Sequence, residues 1–214
     1  MNKLTIVAGL ALAVVAAGAM PAAADETFVA NYGSLTSMVD GVFGAGNWVR
    51  LDDNADRLWA ASPTGSNVGL LVIGKDSQYV QNVGYVQGGA FTPLIATATV
   101  GESSSGPIDG AFFFADLTGP PGHPTLYTSD PASNPDGGPF PVDHMVSFMA
   151  TTGAYAGQVI LAFEDLPQGG DKDFNDVVLL ASGVAPVPEP GTMVLLGSGL
   201  AGLLAYARRR RVAA

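Results

Sequence analysis

Hydrophobic residues in the middle of the chain fall in short runs, and clusters of Gly, Pro, Asn, Asp and Ser separate these runs. Short runs divided by turn-forming residues are typical of β-strands that follow one another without intervening helices. The pattern therefore predicts an antiparallel β-sandwich or jelly roll. The predicted strands lie at residues 48–51, 68–73, 79–86, 91–100, 111–115, 145–149, 158–163 and 174–181.

One segment before these strands has the helical period instead. Leu35, Val39 and Val42 recur at four- and three-residue spacing, and Gly44 follows them. That spacing predicts a helix over residues 34–43 that ends at the glycine. The predicted fold class is therefore all-β with one short N-terminal helix.

A long segment, residues 116–144, has little hydrophobic periodicity and contains seven prolines. Because proline cannot donate a hydrogen bond within a sheet, we expect this segment to be solvent-facing and largely irregular. It ends in the pair Asp143 and His144. The histidine could orient a ligand or act as a base, but a hydrogen bond that ties down the long segment is the interpretation we prefer.

Both ends of the chain resemble targeting segments. At the N-terminus, Lys3 precedes an uncharged apolar run, and three alanines at 22–24 offer a small-residue cleavage site before Asp25. This order is typical of a secretory signal peptide, so residues 1–24 are predicted to direct export and then to be removed.

The C-terminal tail has three parts in a fixed order. The first is a motif made of Pro188, Glu189 and Pro190. The second is an uncharged apolar stretch at 191–207, long enough for a short transmembrane helix. The third is a cationic cluster, expected to remain cytoplasmic, that consists of Arg208, Arg209, Arg210 and Arg211. The chain thus divides into a signal peptide at 1–24, one β-sandwich domain at 25–186 and a membrane-targeting tail at 187–214.

The tail "VPEPGTMVLLGSGLAGLLAYARRRR" resembles the PEP-CTERM sorting signal. The resemblance implies recognition by an exosortase, a membrane transpeptidase that cleaves near the Pro-Glu-Pro motif. It also implies a membrane-anchored state before processing and a cell-surface or extracellular location after it. From the residues alone, an uncleaved C-terminal anchor remains the alternative.

The charge of the predicted domain excludes one class of partner. Residues 25–186 hold 18 of the 19 acidic residues but only four of the nine basic ones, which gives a formal charge of −14. Without a basic patch to meet phosphates, nucleic acid is not an expected partner. The chain has no cysteine, so a folded exported domain must be held by its core or by a metal.

Acidic residues crowd into one segment near the end of the domain, "FEDLPQGGDKDFNDVV". Asp171, Asp173 and Asn175 have the spacing of the first three oxygen ligands in calcium loops, although the segment lacks the later Gly and Glu of an EF-hand. Apolar runs on both sides could pair as a hairpin and bring the acids together. Oxygen donors without His or Cys favour calcium over zinc or copper. The predicted ligands are Asp165, Asp171, Asp173 and Asp176, with Glu164 and Asn175 as further candidates. A solvated acidic hairpin without a metal is the alternative.

The same segment resembles the closing motif of an uncharacterised exported bacterial domain, the domain of unknown function four-one-one-four. The stretches "GAFFFAD" and "LYTSDPASNPDGGPFPVDHM" also resemble that family. The resemblance implies a β-sandwich and suggests calcium, but it supplies no established activity.

These patterns predict a non-enzymatic, calcium-stabilised protein of the cell surface or extracellular matrix. The chain has no Cys nucleophile, no G-x-S-x-G elbow and no phosphate-binding glycine loop, so we expect no enzymatic activity. One alternative is an adhesive or carbohydrate-binding module that meets extracellular polysaccharide through loop aromatics such as Tyr127 and Phe140. Another is a secreted hydrolase that uses the acidic cluster.

Overall fold

The structure is a computed structural model that describes residues 33–52, 55–97, 99–120, 122–136, 142–188, 197–199 and 201–202. The predicted signal peptide lies outside these residues. So does most of the predicted sorting helix, of which only 197–199 and 201–202 are described, as helical and exposed. Within the described part of the chain, no helix is long and apolar enough to cross a membrane.

The helix α1 spans Gly33–Phe43, and the strands follow it. Their bounds are β1 (Trp48–Arg50), β2 (Trp59–Ala61), β3 (Asn67–Gly74), β4 (Asn82–Gln87), β5 (Ala90–Ala96), β6 (Ser103–Pro107), β7 (Ala111–Thr118), β8 (Thr125–Thr128), β9 (Met145–Ala150), β10 (Val159–Phe163), β11 (Val177–Ser182) and β12 (Val184–Pro186). They form two antiparallel sheets. The first sheet has the order β1-β9-β10-β11-β3-β6, and the second has the order β12-β2-β7-β4-β5, with β8 also paired to β7.

The two sheets pack face to face around one core. Val68, Leu70 and Val72 of β3 point inward from the first sheet, and Phe112 and Phe114 of β7 point inward from the second. Alternate residues of a strand share a face, which explains this spacing of two. The structure thus confirms the predicted all-β class and its antiparallel sandwich.

A third layer covers part of the outer face of the first sheet. Leu35, Val39 and Phe43 of α1 pack against outward-facing residues such as Phe148 and Ile160. Both faces of the central strands are therefore dry, and all five residues of β10 are buried. This explains why β10 has a continuous apolar sequence rather than an alternating one.

The prediction for residues 116–144 was wrong in the part that the structure describes. The segment contains the strand β8, which pairs with β7, and a short 3-10 turn at Pro131–Ser133. Tyr127 is buried, so it is not an exposed aromatic for carbohydrate, and Phe140 lies outside the described residues. Side-chain hydrogen bonds replace those that the prolines cannot make. The amide of Asn134 accepts from Thr128 N–H at 2.7 Å and donates to Val142 O at 3.0 Å.

Candidate metal centre

The predicted acidic hairpin is present, and its turn lies at one end of the sandwich. β10 and β11 pair antiparallel from Val159↔Ala181 to Phe163↔Val177, so residues 164–176 form the connecting turn, called here the acidic turn. Because the last strand pair is Phe163↔Val177, the acids before and after the turn come together. β11 begins at Val177, three residues later than the sequence predicted.

The backbone of the acidic turn folds tightly over one carboxylate. Gly170 has φ +43°, and a Cβ at this position would clash with Glu164 Oε1. Three other residues also have positive φ values that side chains rarely adopt, namely Gln168 (61°), Lys172 (59°) and Phe174 (52°). Positive φ at residues other than glycine costs energy, and the buried side chain of Phe174 anchors this part of the turn.

The turn brings the predicted acids into two overlapping groups. Oxygen atoms of Glu164, Asp171 and Asp173 all lie within 4.8 Å of one another, and so do those of Glu164, Asp165 and Asp176. We call these the outer triad and the inner triad. Asp171 is exposed, whereas Glu164, Asp165 and Asp173 are buried. Glu164 belongs to both triads and is therefore the centre of the cluster.

Among the described residues, Glu164 lacks an N–H or hydroxyl donor for one of its carboxylate oxygens. The side chain is 0% exposed, and Oε1 accepts a long hydrogen bond, 3.4 Å, from Leu166 N–H. Oε2 accepts no hydrogen bond from an N–H or hydroxyl group of the described residues, whereas the carboxyl groups of Glu164 and Asp176 lie close enough to share a proton. Burial, followed by the negative charge of Asp176, raises the pKa of Glu164 from 4.5 to about 9. Burial also raises the pKa of Asp176 from 3.8 to about 6. Without a cation, the cluster resists full ionisation.

Asn175 orients a predicted ligand. Its backbone N–H donates to Asp173 Oδ1 at 3.2 Å, and its side-chain Nδ2 donates to Asp173 Oδ2 at 2.6 Å. These hydrogen bonds fix the Asp173 carboxylate within the turn. Burial raises the pKa of Asp173, while the hydrogen bonds from Asn175 oppose that rise.

The remaining members of the inner triad are held by hydrogen bonds within the acidic turn and from two other segments, the loop before β4 and the strand β7. The Asp165 N–H donates to Asp176 Oδ2 at 2.9 Å. Asp165 Oδ2 accepts from Ser77 Oγ, from Gln81 Nε2 at 2.9 Å and from Thr118 Oγ1 at 3.4 Å. Sequence reasoning missed these donors, because 88, 84 and 47 residues separate them from Asp165.

A lysine lies near the inner triad without being hydrogen-bonded to it. Lys75 Nζ donates to Tyr79 O and, at 2.7 Å, to Gln81 Oε1. Burial lowers the pKa of Lys75, while the carboxylates of Asp165, Asp116 and Asp176 act in the opposite direction. The ammonium group therefore supplies one positive charge close to several buried negative ones.

Asp116 is a further acid that the sequence analysis did not include in the site. It is 0% exposed, and neither carboxylate oxygen has a hydrogen-bond partner among the described residues. Burial, followed by the charges of Asp165 and Asp176, raises its pKa well above the ordinary value. The motif "FFFAD" contained a signal: Asp116 stands where alternation along β7 requires an inward-facing residue after Phe112 and Phe114.

His144 connects the proline-rich segment to the acidic turn, which confirms the interpretation we preferred for this residue. Its Nδ1 lies 2.9 Å from the carbonyl oxygen of Glu164, and its Nε2 lies 2.9 Å from Asp136 Oδ2. The ring stacks on Tyr127, with 3.8 Å between ring centroids and an interplanar angle of 14°. A carbonyl oxygen can only accept, so Nδ1 carries a proton in this arrangement.

The six predicted metal residues lie in one turn, but the two triads separate Asp171 and Asp173 from Asp165 and Asp176, and buried Asp116 of the facing sheet belongs to neither triad. Of the sorting motif, Pro188 is the last described residue before the gap, and Glu189 and Pro190 lie outside the described residues, as do Arg208, Arg209, Arg210 and Arg211.

Comparison with known families gives two matches. Residues 63–183 match the family described as Domain of unknown function (DUF4114), which includes the whole acidic turn and Asp116. Residues 186–211 match the PEP-CTERM protein-sorting motif. No curated protein and no solved structure matches the chain.

Proposed function

The chain belongs to the family of Domain of unknown function (DUF4114), and we propose that it is a non-enzymatic exported protein whose β-sandwich is stabilised by calcium. The PEP-CTERM motif makes the chain a substrate for exosortase sorting and implies an exported, surface-associated protein. The domain family supplies no activity, so the proposal for the folded part rests on the acidic turn.

One observation carries the calcium proposal. Glu164 is fully buried, its Oε2 receives no hydrogen bond from an N–H or hydroxyl group in the part of the chain that the structure describes, and it lies at the centre of two carboxylate triads. An unpartnered buried carboxylate is costly unless a cation or a proton neutralises it. Carboxylate oxygens with no sulfur or imidazole among them are the donor set of calcium.

The outer triad is the first position for the ion. Glu164 and Asp173 supply buried oxygens, and exposed Asp171 leaves a route from solvent. Asn175 holds Asp173 in place through two hydrogen bonds. Calcium at this position would close the acidic turn onto the end of β10 and β11, and it would thereby stabilise the fold.

A hydrolytic function that uses the same acids fits the structure less well than a structural calcium site. A raised pKa at Glu164 is the property of a general acid. However, the glutamate is 0% exposed, and the backbone of Gly170 covers its Oε1. A sugar chain could not reach this carboxyl group without opening the turn. A structural cation needs no such access.

Thermal unfolding of the exported protein in calcium, in magnesium and in chelator tests the proposal. A ligand that binds only the folded state at 100 times its dissociation constant adds about 2.7 kcal/mol. We expect calcium to raise the melting midpoint by roughly 5–10 °C, by the usual scaling for a domain of this size. Magnesium should raise the melting midpoint less than calcium does, because it requires a stricter octahedral geometry.

Two matched variants locate the effect. Asp171→Asn removes the exposed carboxylate of the outer triad and should reduce the calcium-induced shift. Asp109→Asn removes an exposed carboxylate outside the acidic turn and should leave the shift intact. Equal midpoints in all three solutions would contradict the calcium proposal.

A further inference from the structure

The inner face of β7 changes from apolar to polar within four residues. Phe112 and Phe114 lie in the core between the sheets, and Asp116 and Thr118 continue the same face. Thr118 points at the acidic turn, because its hydroxyl donates to Asp165 Oδ2. Asp116, two residues earlier, therefore faces the interior beside the inner triad.

Among the described residues, no cationic group is hydrogen-bonded to the Asp116 carboxylate. Both of its oxygens are without a hydrogen-bond partner in the described part of the chain. The nearby charges of Asp165 and Asp176 repel its ionised form, and that of Lys75 attracts it. Yet the Lys75 ammonium directs hydrogen bonds to Tyr79 O and Gln81 Oε1, which are neutral acceptors. When ionised, Asp116 and the three carboxylates of the inner triad carry four negative charges, and the Lys75 ammonium offsets one of them, which leaves three.

We propose that the sandwich holds a second calcium ion, deeper than the first, at the inner triad of Glu164, Asp165 and Asp176, on the side that Asp116 of β7 faces. This inference rests on the proposed function, since it adds an ion to the same site. A divalent cation balances two of the three uncompensated charges. Glu164 lies within reach of both positions as a member of both triads and bridges the two ions.

The inner ion has a different role from the outer one. The ligands of the outer triad all come from the acidic turn, so an ion there orders that turn. The carboxylates that surround the inner ion come from both sheets, because Asp116 belongs to β7 of the second sheet and Asp165 follows β10 of the first. The inner ion therefore joins the two sheets at the end where the apolar core stops.

Counting the calcium bound per chain tests the second ion. The full exported protein is equilibrated with calcium by dialysis, and bound metal is measured by elemental analysis. We expect two ions in the unaltered protein, one in Asp116→Asn and one in Asp171→Asn. Asp56→Asn is the matched control, since Asp56 is equally buried but accepts a hydrogen bond from Ser147 Oγ, and it should retain two.

The outcomes separate the two proposals. One ion in the unaltered protein that is retained in Asp116→Asn overturns the second site and leaves the proposed function standing. The absence of bound calcium overturns both.

Melting midpoints give an independent check that does not depend on the count. In chelator, Asp116→Asn should melt at or above the unaltered protein, because a neutral amide replaces an unpartnered carboxylate. In saturating calcium, the same variant should melt below it. If Asp116→Asn melted above the unaltered protein in both solutions, or below it in both, the second site would be overturned.

Discussion

The two ends of the space between the sheets are equally buried but chemically opposite. At one end, Trp59 and Phe112 contact Phe114 with their ring edges, at centroid distances of 5.4 and 5.1 Å. At the other end, Asp116 and Asp165 are buried together with polar side chains such as Gln81 and Thr118. Burial alone therefore says little about stability. The apolar end stabilises the fold without help, whereas the polar end depends on charges and donors being matched.

The largest effect should come from the apolar end. Phe114→Ala removes a fully buried ring, and large-to-small changes of this kind cost about 3–5 kcal/mol. The cost should be the same in calcium and in chelator, because the ring belongs to the core between the sheets. Denaturant unfolding measures it. Phe113→Ala, on the half-buried opposite face of β7, should cost less. A cost that depends on calcium would contradict this division between the two ends.

The polar end should instead respond to pH. Burial raises the pKa of Glu164 to about 9 and that of Asp176 to about 6. Both groups have a higher pKa in the folded chain than in the unfolded chain, so the folded chain binds their protons more tightly. Protonation therefore contributes stability that is complete below the unfolded-state pKa values. This contribution is lost as the pH rises through the folded-state pKa values. In chelator, we expect the free energy of unfolding to fall between pH 5 and pH 9 by on the order of 1–3 kcal/mol.

Calcium should oppose that fall, because it binds the deprotonated carboxylates. Glu164→Gln should flatten the dependence above pH 6, since the carboxyl group whose pKa burial raises to about 9 is then absent. A free energy of unfolding that stayed constant or rose with pH in chelator would show that the charges at the polar end are already balanced without a metal.

The smallest effect should come from one hydrogen bond at the polar end. Thr118→Val keeps the shape of the side chain but removes the hydroxyl that donates to Asp165 Oδ2 at 3.4 Å. A typical hydrogen bond contributes about 0.5–1.5 kcal/mol, and this long one should be near the lower limit. The control is Thr92→Val, at an exposed position of β5, which should change the free energy of unfolding by less than about 0.5 kcal/mol. Denaturant unfolding in calcium compares the two, and equal effects would show that the hydroxyl contributes nothing.

The parts of the fold that were predictable are those that sequence neighbours determine. The helix, found at Gly33–Phe43, and long strands such as β3 and β10 follow from local hydrophobic spacing. The strands β2, β6 and β12 were not predicted, because they are short or polar, as in the sequence SSSGP of β6. These strands pair with residues that are distant in the sequence, so no local pattern predicts them.

The candidate site shows the same limit. The acidic turn is one continuous segment, so its six predicted ligands could be found by their spacing. Asp116 and the donors Ser77 and Gln81 reach the site only through the packing of the two sheets. The proline-rich segment was misjudged for a related reason: the side chain of Asn134 supplies hydrogen bonds that composition does not reveal.

The last strand determines how the fold responds to tension. β12 (Val184–Pro186) lies at the edge of the second sheet and pairs with β2, with Pro186 opposite Trp59. A pull on the tail first reaches the 2.7 Å hydrogen bond between Val187 N–H and the carbonyl oxygen of Leu58. Hydrogen bonds between antiparallel strands are perpendicular to the strands, so a sideways pull opens them one after another. The three-residue strand would then yield first, while the packed rings behind it keep the sandwich intact.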